Sequence, residues 1–158
     1  MTTGDHGTTL ATMRRILLAI LLLGLVGTAT ELLLIGHDED ARQLIPLALV
    51  GLALAAITWQ AAGGGEASVR ALQATMALFI VSAAVGAVLH YRANMEFQLD
   101  IDPSIGALEL FWKVMRAKAP PALAPGVMAQ LGLIGLAYTY RHPALARRFD
   151  IGDRTTGA

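Results

Sequence analysis

Four stretches of this chain, residues 16–36, 44–62, 71–91 and 122–140, are apolar almost without interruption. At about 1.5 Å of rise per residue, a helix of about 20 residues covers the roughly 30 Å hydrocarbon core of a bilayer. None of the stretches alternates apolar and polar residues, and each is about twice as long as a barrel strand of about 10 residues. Lipid offers no partner to a backbone N–H or C=O, so stretches of this kind become helices, which satisfy those groups internally. Composition agrees: 55% of residues are hydrophobic, 15% are charged, and the mean hydropathy is +0.57. A soluble domain usually carries about 25% charged residues. The expected fold is therefore an all-α integral membrane protein, a four-transmembrane-helix bundle.

The segments between the runs set its limits. Residues 1–13 read as a short disordered tail, and residues 143–158 as a second tail. Arg14 and Arg15 precede the first run. They also fit a signal peptide, with residues 16–26 as its core and Gly27-Thr28-Ala29 as a cleavage site. Against that, residues 32–35 continue the apolar run past Glu31. Pro46 falls in the first turn of the second run, where a missing N–H costs little. Gly63-Gly64-Gly65-Glu66 is a turn, and Pro120-Pro121 breaks the chain before the fourth run. In the long connection, Asp102-Pro103-Ser104 reads as an N-cap with proline at the first helical position. That predicts a helix over 103–118, with Ile105, Leu108, Trp112 and Met115 on one face and Glu109, Lys113 and Arg116 on another. Such an amphipathic helix lies in a membrane interface, with Trp112, and Trp59 at the end of the second run, as interfacial anchors.

Four spans put both termini on one side. That side holds Arg14, Arg15, Arg70, Arg141, Arg147, Arg148 and Arg154, and the other holds most of the acids. The basic bias predicts cytoplasmic termini in a cell (inner) membrane. The chain has no cysteine, which excludes disulfides, thiolate metal sites and cysteine nucleophiles. Its net charge is +0, which leaves no electrostatic footprint for a nucleic acid. HExxH and GxSxG are missing, and Ser68, Ser82 and Ser104 have no nucleophile context, so no enzyme is assigned.

Polar groups inside apolar runs are costly and usually face the bundle interior. Gly24, Thr28 and Glu31 fall within about 60° of one another at 100° per residue. On the third run Thr75, Ser82, Gly86 and His90 share a stripe that Asn94 extends. Glu31 and His90 are expected at similar depth on the outer side, with His37 and Asn94 around the same mouth. Three chemistries follow for such a group. It could take a divalent metal ion, with Glu31 and His90 as ligands, it could relay protons, or it could be one interhelical hydrogen bond. The leading expectation is a small multi-pass protein whose outward-facing pocket, lined by Glu31, His90, Asn94 and His37, binds or conducts a cation or proton. The alternative is a non-catalytic accessory or structural subunit of a larger membrane complex. In it the small-residue faces at Gly24, Thr28, Gly132 and Gly135 meet a partner span or a second copy. A bis-histidine haem b protein using His37 and His90 ranks below both, because both histidines fall at the membrane rim. Asp38-Glu39-Asp40 reads as a solvated loop.

Overall fold

A computed structural model describes residues 3–36, 40–118 and 120–146. His37, Asp38, Glu39 and most of the expected C-terminal tail lie outside the described residues. The described chain is helical, without a strand, and runs α1 (Thr3–Leu34), α2 (Leu44–Ala61), α3 (Gly65–Ile101), α4 (Ala107–Met115), α5 (Leu123–Thr139) and α6 (Pro143–Ala146). Three of these helices, α1, α2 and α3, are long and apolar enough to cross a membrane, as a membrane protein requires. The apolar α5 is shorter, with 17 residues.

Two helices overrun the apolar stretches that predicted them. α1 has 32 residues and α3 has 37, or about 48 Å and 55 Å at the helical rise. Adding a residue to an existing helix costs far less than nucleating one. The polar segment 3–13 contains no proline, so it propagates the helix that the apolar run seeds instead of forming a disordered tail. Past Tyr91 nothing breaks α3 until Pro103. Proline drives the residue before it out of the helical region, and Asp102 sits at φ −141°, ψ 92°.

That break also corrects the start of α4. Asp102 does not cap a helix. Its Oδ1 accepts from the Ser104 amide at 3.0 Å and the Ser104 hydroxyl at 2.7 Å, a local Asx turn. The Ser104 hydroxyl, then its amide, hold the Asp102 carboxyl below its ordinary value. The helix begins only after Gly106, whose backbone is extended. What remains, residues 107–115, keeps the expected pairing of Lys113 with Glu109 at 3.0 Å. Trp112 is half exposed, with Arg116 over its ring at 5.3 Å.

Helices α1, α2, α3 and α5 pack so that α5 and α2 each contact both α1 and α3. The helices α1 and α3 thus occupy opposite corners. Leu21 and Leu25 of α1, Val50 and Ala53 of α2, Met76 and Phe79 of α3, and Leu131 of α5 fill the centre. The outward surface is also apolar: Leu23 is 77% exposed and Leu34 is 82% exposed, a belt that water would not tolerate. The expected close-packing glycines are used inside the chain. A methyl group on Gly24 would collide with Leu131, and one on Gly135 with Met76. Between α2 and α3 the backbone turns through Gly63 (φ 91°) and Gly65 (φ 60°), a region that suits glycine. The intervening Gly64 lies under the Trp59 ring.

Candidate functional site

Which way Glu31 points is decided by the rotation of α1. Its buried residues are Leu21, Leu25 and Leu32, about one and then two helical turns apart and centred on one line of the helix. At 100° per residue Glu31 falls about 100° away from that line. Gly24 and Thr28 are half-buried at the edge of the packed face, and Glu31 is exposed. Glu31 therefore looks outward from the chain, in contrast to the expectation that it faces the bundle interior. Ile20, Gly27 and Leu34 share its side, and all three are exposed. A methyl group on Gly27 would meet nothing within 4 Å. The backbone around Glu31 is regular: its carbonyl accepts from Ile35 N–H at 3.0 Å.

The remaining residues of the expected outer site are spread over other elements. His90 and Asn94 lie one turn apart on a half-buried face of α3, and each already has a partner. Glu31 stands on the opposite corner of the packing from that helix. Among the described residues, no three or more histidines, aspartates or glutamates gather as a metal site would need.

A tighter polar cluster forms at the other end, where the apolar run of α1 begins and α2 and α5 finish. It joins Arg14, Gln60, Tyr138 and His142. The last carbonyls of a helix have no partner within it and attract a cation. Here the Arg14 guanidinium donates to the carbonyl of Arg141 at 2.7 Å and, more weakly, to that of Tyr140 at 3.4 Å. The Gln60 amide nitrogen donates to the Tyr138 hydroxyl at 2.9 Å and lies 2.9 Å from His142 Nε2. The Ala144 N–H donates to His142 Nδ1 at 3.2 Å. The Tyr138 and His142 rings are 5.8 Å apart. Among the described residues, the buried Gln60 Oε1 has no hydrogen-bond partner.

This geometry wants a neutral imidazole. A neutral ring has one acceptor nitrogen, set by its tautomer, and an N–H approaches each nitrogen, Gln60's at Nε2 and Ala144's at Nδ1. A protonated ring has none. Burial, and then the Arg14 charge, lower the His142 pKa below its ordinary 6.5, in the same direction. Sequence reading missed the cluster, because Gln60 is 78 and 82 positions from its two partners. The one usable signal was that Arg14, Gln60 and His142 all fall at run ends on the same side.

Arg141 has φ 47°, the left-handed region that costs a non-glycine residue roughly 1 kcal/mol. Arg141→Gly is expected to raise stability by about 0.5 kcal/mol or more, less whatever the stacking of its guanidinium on Tyr140 at 5.8 Å contributes. Unfolding of the purified variant in detergent measures the sign. Compared with known proteins, the chain matches no family model, no curated protein and no solved structure.

Proposed function

We propose that this chain is a four-span inner-membrane protein with cytoplasmic termini that works as a non-catalytic accessory or structural subunit, docking another span against the outward face of α1. The single observation that carries this reading is Glu31. It is an exposed carboxylate on an apolar helix whose most apolar window is only 17% buried within the chain, against 28% for α2 and α3. Side chains on a helix tilt toward its N-terminus. In an outward-running α1 that tilt turns Glu31 toward the bilayer centre, away from the nearer headgroups. A carboxylate near a helix C-terminus is also opposed by the helix dipole. Such a group is costly against lipid and favours a hydrogen-bonding neighbour, and Gly27 beside it lets a neighbouring backbone approach. In this arrangement α5 is the fourth span. The exposed Leu108 and Trp112 of α4 rest in the outer interface, with Lys113 and Arg116 toward the headgroups.

Extraction in mild detergent is expected to yield a stoichiometric partner or a homodimer. Glu31→Leu should weaken that association about tenfold, the scale of one interhelical hydrogen bond of about 1–2 kcal/mol. Because the chain is free of cysteine, Gly27→Cys gives a clean cross-linking probe of the same face. A monomer in both forms, with no cross-link, would sink the reading. A second reading places a cation or proton at His90 and Asn94 of α3 without Glu31, which stands on the opposite corner of the packing. The shared half-buried face of His90 and Asn94 supports it, and the metal content and pH-dependent binding of purified wild type decide it.

A further inference from the structure

The outer half of α3, the end of α4 and the start of α5 enclose an open groove of about 400 Å³. Its walls include Val88, Met95, Met115 and Pro121, and Tyr91 and Arg92 border it, within a lining that is almost wholly apolar. Its depth in the membrane follows from α3. Residues 71–91 carry no acid, lysine or arginine between Arg70 and Arg92, and a helix of that length measures about 30 Å, the thickness of the hydrocarbon core. Arg70 and Arg92 therefore bracket the core, and Arg92 stands at the phosphate level of the outer leaflet. Tyr91 falls where interfacial aromatic residues collect. Val88 lies one turn deeper, within reach of acyl chains.

Arg92 is exposed, and among the described residues it takes part in no ion pair. A guanidinium suits a phosphate, which it can hold through two parallel hydrogen bonds. One turn further out is Glu96, also exposed. Residues four apart on a helix are about 5–6 Å apart at Cβ. A cation and an anion at that spacing, with the cation nearer the hydrocarbon, mirror a zwitterionic headgroup, whose phosphate lies deeper than its ammonium.

We propose that this groove is a binding site for a zwitterionic phospholipid with a primary ammonium, of the phosphatidylethanolamine class. One acyl chain descends past Val88, the phosphate meets Arg92, and the ammonium meets Glu96, with Met95 and Met115 flanking the headgroup end of the groove. The site depends on α3 crossing the bilayer and not on the docking role of α1, so a monomeric protein would leave it standing. It gives α4 a purpose, since Met115, its last residue, lines the groove.

The test uses the full chain reconstituted in vesicles of equimolar phosphatidylethanolamine and phosphatidylglycerol, then extracted and weighed by native mass spectrometry. Wild type is expected to retain one phosphatidylethanolamine per chain in preference to phosphatidylglycerol. Arg92→Gln should lower that retention about tenfold, the loss of one charge-assisted contact. Val88→Trp, which fills the groove without touching a charge, should lower it as much. Glu96→Gln should keep a lipid bound and abolish the preference. All three positions are exposed, so helix content by circular dichroism should match wild type in each. Wild type without a retained lipid overturns the proposal, as does retention unchanged in Arg92→Gln or Val88→Trp. Displacement of the lipid by millimolar inorganic phosphate would mark a free-anion site and overturn it too.

Discussion

Gly132→Val should destabilise the protein by about 3 kcal/mol or more and loosen α5 from α3. The reason is what a side chain would meet there. A Cβ on Gly132 would stand 2.7 Å from Ile80 Cγ1, 2.8 Å from the Met76 carbonyl oxygen and 3.3 Å from Phe79 Cβ. The carbonyl belongs to the backbone of α3 and cannot rotate away, so α5 has to move. Overpacking a filled interface costs about 1–3 kcal/mol, and valine adds two further methyl groups beyond the one that already collides. Gly132→Ala should fall in the lower part of that range. Gly135→Ala should cost less again, because its added methyl meets the Sδ and Cγ of Met76, a flexible side chain that can change rotamer. Gly51→Ala is the control. It lies on an exposed face of α2 with nothing within 4 Å of a new Cβ, so it should be neutral or stabilising by up to about 1 kcal/mol. Unfolding in mixed detergent, followed by the fluorescence of Trp59 and Trp112, ranks the four variants. If Gly51→Ala is as damaging as Gly132→Val, close approach of α5 to α3 is not what these glycines provide.

The same glycines show what a single sequence reveals. Their placement on a close-packing face was legible, because small residues three and four apart have one meaning on an apolar helix. Whether that face meets the chain itself or another molecule was not, since local pattern carries no information about the partner. Glu31 failed for a related reason. Its neighbours Gly24 and Thr28 suggested an inward stripe, but the packed face of α1 follows the line of Leu21, Leu25 and Leu32. A rotation of about 100° moves a carboxylate from inside to outside, and a helix that is apolar all round does not announce its rotation. The existence of the long apolar helices followed from run length alone. Their ends did not, because Pro103 acts on Asp102 and not on the first polar residue after the membrane.

The polar cluster at the opposite end makes stability depend on pH through His142. Its pKa in the folded protein lies below the ordinary imidazole value of 6.5, through burial first and Arg14 second. The unfolded chain therefore takes up the proton first as pH falls. Stability is full above about pH 6.5 and declines as pH drops below it, until the pH passes under the lowered folded value and the loss levels off. The hydrogen bonds give the same sign, since a protonated ring accepts neither from Gln60 nor from Ala144. His142→Asn should lose some stability at neutral pH and remove this part of the dependence between pH 7 and pH 5, whatever the other histidines contribute. Arg14→Gln separates the two causes. It should weaken the pH dependence without abolishing it, because burial remains. It should also cost about 1 kcal/mol at neutral pH, since the Arg14 contact to the Arg141 carbonyl at 2.7 Å is charge-assisted but partly exposed to solvent. Unfolding midpoints of wild type and both variants at a series of pH values measure all of this. If wild type and His142→Asn follow the same pH curve, the imidazole is not held neutral by this cluster. If the advantage of wild type over His142→Asn shrinks as pH falls below about 6.5, and Arg14→Gln shows a shallower pH dependence than wild type, the end of α5 is tied to α1 and α2 through a histidine that the fold keeps uncharged.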